Sequence, residues 1–119
     1  MAARSYVPER NDIVWLDFEP IKGKEIGKYR PALVLSSRLY NVKTGLLICC
    51  PISTSIRGVL TEVPLDSLSK PSVVAAGIIQ TLSWTDRKVK FIARAPQKIM
   101  HEVLARIIPM IGADTLSAE

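Results

Sequence analysis

The apolar residues of this chain fall mostly into short β-branched and aromatic runs separated by turn residues, and this pattern limits its fold most strongly. The runs span residues 12–18, 32–36, 46–52, 59–65, 72–82 and 87–93, with Pro51 interrupting the third and Asn41–Gly45 predicting a turn. Short strands at such close spacing predict a small β-barrel.

Only the C-terminal region changes its hydrophobic period. Apolar residues there follow the three-and-four spacing of an amphipathic helix, at Ile99, Met100, Val103, Leu104 and Ile107. Pro96 suits the first helical position. Pro109 cannot donate to the carbonyl four residues earlier, so the helix should kink or end about there. We therefore predict one helix that packs on the sheet, and the order of the tail after Gly112 stays open.

A length of 119 residues matches the common size of one domain, so we interpret residues 1–119 as a single domain. No apolar run approaches the ~18 residues that crossing a bilayer requires. The first eight residues lack the apolar stretch of a secretory signal. We expect a cytoplasmic protein that does not contact membranes.

Cysteine and histidine are too sparse to suggest metal chemistry. Cys49 and Cys50 are neighbours on a predicted strand, where their side chains point to opposite faces and serve best as small apolar fillers. His101 is the one histidine and falls on the polar side of the predicted helix. No familiar metal-ligand spacing can be assembled, so we expect neither a metal nor another cofactor.

Positive charge is concentrated in one third of the chain. Residues 22–58 contain seven Lys and Arg against one acid, Glu25, which gives +6 there and −1 elsewhere for the overall +5. Such a concentration makes a phosphate-bearing partner plausible. A solvated surface with charges scattered over several faces is an equal alternative at this point.

Two polar loops lie at the ends of predicted strands, where rigid scaffolds display reactive groups. The first spans residues 19–29 and closes with Arg30-Pro31; the guanidinium fork suits phosphate oxygens, or it can bond to loop carbonyls. The second begins with Ser53 and Thr54, whose hydroxyls can donate to a phosphate or cap a turn.

Several enzyme classes are excluded by what the chain lacks. The sequence has no credible Ser-His-Asp arrangement, no Walker-type phosphate loop and no paired carboxylates flanking a shared loop. Reactions that need only positioned cations, hydroxyls and a carboxylate remain. Their chief example is RNA cleavage by the neighbouring 2′-hydroxyl, where the protein stabilises the phosphorane and moves protons.

The chain resembles the MazF/PemK (Kid-like) endoribonuclease toxins in segments that follow the same order over nearly its whole length. The residues that carry this resemblance are Asn11–Trp15, Asp17–Pro20, Lys22–Glu25, Tyr29–Ser36, Tyr40–Gly45, Pro51–Ser55 and Gln80–Trp84. The resemblance implies an SH3-like small β-barrel, mainly β with a C-terminal helix, that forms a homodimer. It also implies metal-independent cleavage of single-stranded RNA at short motifs, which leaves 2′,3′-cyclic phosphate and 5′-hydroxyl ends.

The resemblance further assigns roles to individual residues. The family's catalytic arginine falls on Arg30, its loop hydroxyl on Ser53 with Thr54 beside it, and its acidic loop residue on Glu25, for either proton transfer or the reading of a base edge. Departures at Ile26 and Tyr29 imply that the sequence preference differs from that of relatives. Ile79 stands before Gln80 where Kid-type relatives use a catalytic acid, so the resemblance implies the MazF arrangement instead. The implied partner is a MazE-like antitoxin whose acidic, disordered segment would occupy the RNA groove.

RNA contacts are expected along a basic groove with aromatic side chains for base stacking. The candidates are Phe18, Lys22, Lys24, Lys28, Tyr29, Arg57 and Gln80, while Trp15 and Trp84 are predicted to pack in the core. Stacking and packing are equal alternatives for Phe18 and Tyr29. The second functional hypothesis is a non-catalytic, CcdB-like inhibitory binder on the same barrel, against which the absence of a Trp-Gly-Ile tail counts.

Overall fold

The computed structural model describes residues 6–19 and 27–117. The strands are β1 (Asp12–Asp17), β2 (Tyr29–Val34), β3 (Leu46–Ser53), β4 (Glu62–Leu65), β5 (Ser72–Ala75), β6 (Gln80–Ser83) and β7 (Lys90–Arg94), and the helices are α1 (Arg38–Thr44) and α2 (Gln97–Met110). Short 3₁₀ turns span Trp84–Asp86 and Ala113–Ser117. No helix in these two ranges is long and apolar enough to cross a membrane.

The strands form one curled antiparallel sheet in the order β4-β5-β3-β2-β1-β7, with β6 also paired to β3. This half-barrel, with a helix near the C-terminus, confirms the predicted mainly β fold. Strand β3 lies at its centre, because it pairs with β2 on one edge and with β6 and then β5 on the other.

Pro51 does not interrupt β3, contrary to the prediction. It lies opposite Ala32 of β2 and is buried. On the other edge of β3, the pairing with β6 stops at Cys49 and the pairing with β5 starts at Ile52. Pro51 therefore falls in the gap between two strand partners, where a proline is tolerated in a sheet.

The turn predicted at Asn41–Gly45 is the second half of α1. The Ser37 side chain caps the helix by accepting the Tyr40 amide at 3.1 Å, and Gly45 ends it with φ 73°. Asn41 is buried and donates to the Pro8 carbonyl at 2.9 Å. The seven residues of α1 are too few for helical periodicity to show in the sequence.

Two further segments differ from their predictions. The run 72–82 is two strands, β5 and β6, separated by a turn in which the Ile78 amide donates to the Ala75 carbonyl. Helix α2 starts one residue later than predicted, with Pro96 as its N-cap, and carries Pro109 in its last turn before ending at Met110. Its predicted apolar face is buried except for Leu104.

Two hydrophobic cores form on the two faces of the sheet. The helix-side core joins sheet residues such as Ile13, Leu33 and Cys50 to the apolar face of α2. The far-side core gathers Val14, Leu16, Phe18, Ala32, Val34, Leu47 and Cys49, against which Tyr6, Leu82, Trp84 and Val89 pack. The two cysteines thus belong to different cores, as the predicted filler role requires, and burial raises the pKa of the Cys50 thiol to about 12.

Candidate active site

A cleft of about 450 Å³ opens where β2, β3 and β5 end beside the two predicted polar loops. Its lining is Gly27, Arg30, Ser53, Ser55, Arg57, Val59, Thr61, Glu62, Val73, Ala75, Gly77 and Ile78. Three residues predicted from the sequence, Arg30, Ser53 and Arg57, therefore meet in one cavity.

Strand pairing brings Arg30 and Ser53 together. The antiparallel register of β2 and β3 sets Ala32 opposite Pro51, so continuing it by two residues sets Arg30 opposite Ser53. Alternation along each strand places both side chains on the same face of the sheet. Ser53 also pairs with Val73 of β5, which forms the next part of the cleft wall.

The Arg30 side chain is held at the cleft. Its Nε donates to the Gly27 carbonyl at 2.7 Å, and its terminal NH₂ groups have no hydrogen-bond partner among residues 6–19 and 27–117. Burial lowers the pKa of the guanidinium below its ordinary value. The group nevertheless stays charged at neutral pH, because an arginine starts from a pKa above about 12. Arg30 thus presents a positioned cation to the cleft, and no side chain or carbonyl within residues 6–19 and 27–117 accepts from its terminal N–H groups.

The loop after β3 is ordered by a carboxylate that the sequence analysis missed. Both Glu62 oxygens accept the Arg57 amide, at 3.1 and 3.2 Å, and one accepts the Gly58 amide at 2.8 Å. Gly58 takes a positive φ of 77°, which few other residues adopt readily. Glu62 is the lone acid in the alternating run 59–65, and this was its only signal in the sequence.

Hydroxyl groups complete the described part of the cleft. Ser53 Oγ accepts the Ser55 amide at 3.0 Å, which leaves its own proton available to donate. Thr54 is exposed and does not line the cleft. Of the two hydroxyls predicted to act together, Ser53 alone faces the cavity shared with Arg30.

The remaining predicted site residues are spread over several environments. Glu25, Lys22 and Lys24 lie outside the described residues. Lys28 is exposed, and its amide donates to the Glu19 carboxylate at 2.6 Å. Gln80 lies opposite Cys49 rather than in the cleft, and its Nε2 is buried without a hydrogen-bond partner in the part of the chain that the structure describes.

The structure distributes the aromatic residues between core and surface differently from the prediction. Phe18 is 2% exposed and packs in the far-side core, so packing rather than base stacking describes it. Trp84 packs against that core and its Nε1 donates to the Asn41 carbonyl at 3.0 Å, as a core role predicts. The core prediction for Trp15 is wrong, because the residue is 36% exposed and its ring stacks on that of exposed Tyr29.

The charges and ligating groups of the cleft limit its chemistry. Arg30 and Arg57 supply positive charge, and Glu62 is occupied by backbone amides. Across residues 6–19 and 27–117, no three His, Cys, Asp or Glu side chains cluster closely enough to hold a metal ion. Fold and cleft together define a small half-barrel protein that presents a fixed guanidinium and a hydroxyl to an anionic ligand.

Comparison with known proteins identifies the family within this class. The family model of the PemK-like, MazF-like toxins of type II toxin-antitoxin systems matches residues 9–111, and the chain belongs to this family. It is 35% identical over 107 residues to the endoribonuclease toxin MazF of Escherichia coli strain K12, covering 90% of this chain and 96% of that protein. It is 30% identical over 90 residues to endoribonuclease MazF3 of Mycobacterium tuberculosis, covering 71% of this chain and 87% of that protein.

Solved structures of MazF proteins superpose on this chain over most of its length. The crystal structure of MazF from Deinococcus radiodurans superposes with a TM-score of 0.87 at 38% identity, covering 91% of this chain and 99% of that one. A MazE-MazF crystal structure from the same organism gives a TM-score of 0.81 at 38% identity, covering 91% and 98%. These similarities do not favour the CcdB-like binder that the sequence left as an alternative.

Proposed function

We propose that the chain cleaves single-stranded RNA, messenger RNA included, at short sequence motifs and leaves 2′,3′-cyclic phosphate and 5′-hydroxyl ends, thereby inhibiting translation and growth. The chain is an endoribonuclease toxin, as its family and its relatives named endoribonuclease establish. The observation that carries the finer proposal is the shared cleft in which Arg30 and Ser53 lie on adjacent strands.

In this mechanism the substrate supplies its own nucleophile. The ribose 2′-oxygen attacks the adjacent phosphorus, charge builds on the non-bridging oxygens, and the 5′-oxygen leaves. Arg30 meets the developing charge with its terminal N–H groups, and Ser53 donates its hydroxyl proton in a hydrogen bond to the same phosphoryl group. Because these donors are fixed before the substrate arrives, little reorganisation is needed in the transition state.

Proton transfer is assigned to Glu25, on the family resemblance alone. A carboxylate can accept the proton of the attacking 2′-hydroxyl. Arg30 is a poor general acid, because even its lowered pKa leaves it charged at neutral pH. The proposed catalytic set is therefore Arg30, Ser53 and Glu25, with Thr54 as a neighbouring hydroxyl, and it includes no metal or other cofactor.

RNA binding is assigned to the cations and polar groups around this set. Arg57 lines the cleft wall, and exposed Lys28 and Tyr29 lie just before Arg30. Lys22 and Lys24 extend the positive charge of the same loop in the sequence, whereas Gln80 lies outside the cleft with its Nε2 buried and is left out of this set. Positive charge spaced in this way attracts the phosphates of a single strand.

The proposed partners follow from the same surface. A MazE-like antitoxin with an acidic, disordered segment would compete with RNA for the cleft, and MazE-MazF complexes of similar structure support this partner. The functional unit is proposed to be a homodimer of residues 1–119. A toxin that cleaves messenger RNA acts where that RNA is translated, so a cytoplasmic location is part of the proposal.

The test is incubation of the purified protein with a long single-stranded RNA in EDTA, followed by mapping of cut sites and fragment ends. We expect discrete cuts with cyclic-phosphate ends, and a fall on the order of a hundred- to a thousand-fold in single-turnover rate for Arg30→Ala. Arg38→Ala, which changes an exposed arginine outside the cleft, is the matched control. Intact RNA in EDTA, or equal activity of the two variants, would overturn the proposal.

Arg30→Ala should leave the fold intact. A pKa that is lower in the folded protein than in the unfolded chain means that folding disfavours the charged guanidinium, at every pH below the folded pKa. Removing that charge relieves the desolvation cost rather than adding one. The variant also loses the hydrogen bond to the Gly27 carbonyl, which acts in the opposite direction. Thermal unfolding of Arg30→Ala should therefore occur near the wild-type temperature, and a large drop would indicate a structural role for the side chain.

A further inference from the structure

The β1–β2 hairpin carries an exposed aromatic pair on the face opposite Arg30. The rings of Trp15 and Tyr29 stack with centroids 5.4 Å apart and planes at 21°, while 36% and 45% of these residues stay exposed. Side chains alternate along a strand, so Tyr29 and Arg30 point to opposite faces although they are neighbours. The pair is thus separate from the cleft.

Neighbouring strands hold this pair in place. Tyr29 Oη donates to the Lys88 carbonyl at 3.0 Å, in a turn where Lys88 takes a positive φ of 57°. Trp15 lies opposite Lys90 in the register between β1 and β7. Neither ring belongs to either hydrophobic core. A fixed aromatic surface that the cores do not use is available to a ligand.

Three lysines and two carboxylates lie around the rings, so positive charge is in excess there. Lys28, Lys88 and Lys90 are exposed and form no ion pair among the residues described. The nearby carboxylates of Asp17 and Glu19 each accept a backbone amide, from Glu19 and Lys28 respectively. We call Trp15, Tyr29, Lys28, Lys88 and Lys90 the aromatic–lysine patch.

We propose that the aromatic–lysine patch binds single-stranded RNA outside the cleft, by stacking a base that flanks the cleaved segment on Trp15 and Tyr29. The proposal rests on the proposed function for the identity of the ligand. Aromatic faces accept any base and lysines accept the backbone phosphates, which is how single strands are held without sequence preference. Tyr29 and Arg30 have Cα atoms about 3.8 Å apart, so the patch and the cleft lie on opposite faces of the same strand end.

The test compares two RNAs that carry 2′-O-methyl groups and so cannot be cleaved. One just spans the cleavage motif, and the other extends beyond it at both ends. We expect Trp15→Ala to weaken binding of the long RNA by about tenfold more than binding of the short one, since stacking on an aromatic ring is worth about 1–3 kcal/mol per base. Trp15→Phe should restore most of that difference. Ultraviolet crosslinking of the long RNA should label the peptide that contains Trp15 or Tyr29.

Controls separate this idea from the proposed function. Phe91→Ala removes an exposed aromatic residue outside the patch and should not change the ratio of the two affinities. Equal losses for both RNAs in Trp15→Ala, or no loss for the long one, would overturn the patch while cleavage by the wild type still supported the nuclease. If Trp15→Ala weakened binding of an acidic peptide but left both RNA affinities unchanged, the patch would be a site for a protein partner. That result would likewise overturn the proposal.

Discussion

The two loops that frame the cleft are anchored in different ways. At the β1–β2 loop, the described stem holds the functional side chain itself, because Arg30 lies on a paired strand and its Nε bonds to the Gly27 carbonyl. At the β3–β4 loop, the Glu62 carboxylate holds the backbone of Arg57 and Gly58, while the Arg57 side chain stays exposed.

This difference suggests a division of labour. A fixed guanidinium is suited to a transition state, whose charge develops at one place. An exposed arginine on an ordered backbone is suited to a flexible strand of phosphates, which needs charge more than exact geometry. Substitution of Arg30 or of its strand neighbour Ser53 should therefore lower kcat. Substitutions in the β3–β4 loop should instead raise KM.

After Arg30 itself, the largest effect that tests this division is expected at Ser53, beside the fixed arginine. Ser53→Ala removes a hydrogen bond to a charged group, which is worth about 1.5–3 kcal/mol, so the single-turnover rate should fall roughly ten- to a hundredfold with little change in KM. Single-turnover cleavage of a short RNA measures both quantities.

Thr54 provides the matched control for this prediction. Its hydroxyl is exposed and outside the cleft, so Thr54→Ala should cost much less than Ser53→Ala. A normal rate in the double variant would remove both hydroxyls from the mechanism. A larger loss at Thr54 than at Ser53 would mean that the loop rearranges when RNA binds.

The contrast between the loops was only partly predictable from sequence. Arg30 and Ser53 were located because each follows or precedes an apolar strand, and this is a local signal. The contact of Glu62 with the amides of residues 57 and 58 depends on how the loop turns back to β4, which no periodicity encodes. Sequence reasoning therefore singled out two residues that line the cleft, and it missed the carboxylate that shapes the cleft wall.

The fold shows the same limit. The strand runs and the apolar face of α2 were predicted because their periods persist over several residues, whereas α1 is too short and its signals were only its caps, Ser37 and Gly45. Alternation correctly assigns Trp15 to a face of β1, but it does not tell which part of that face is covered by other elements. Its exposure is a tertiary property.

A smaller effect is expected at Glu62, and it tests how the second loop is anchored. Glu62→Ala removes the acceptor of two backbone amides, so the loop should loosen and KM for RNA should rise roughly three- to tenfold, the scale of about 1 kcal/mol. Hydrogen exchange at the Arg57 and Gly58 amides should become faster in the same variant, and kcat should change little.

Glu62→Gln separates anchoring from charge. The amide oxygen still accepts a backbone hydrogen bond, so anchoring predicts a smaller rise in KM than for Glu62→Ala. If the negative charge mainly repelled RNA, both variants would instead lower KM. In an Arg57→Ala background, Glu62→Ala should still raise KM because the carboxylate orders the whole loop, and no further rise would show that it acts through Arg57 alone.

The smallest effect is expected at Arg57 itself, and it defines what kind of contact the second loop makes. If the exposed guanidinium neutralises one phosphate, Arg57→Ala should reduce the slope of log affinity against log salt by about 0.7, the value for one contact to a single strand. The loss should be the same for RNAs of different sequence, and it should shrink at high salt because counterions then compete for the phosphate. Arg38→Ala, outside the cleft, should leave the slope unchanged. A sequence-dependent loss would show that Arg57 reads a base edge, which would make the β3–β4 loop a specificity element rather than an electrostatic wall.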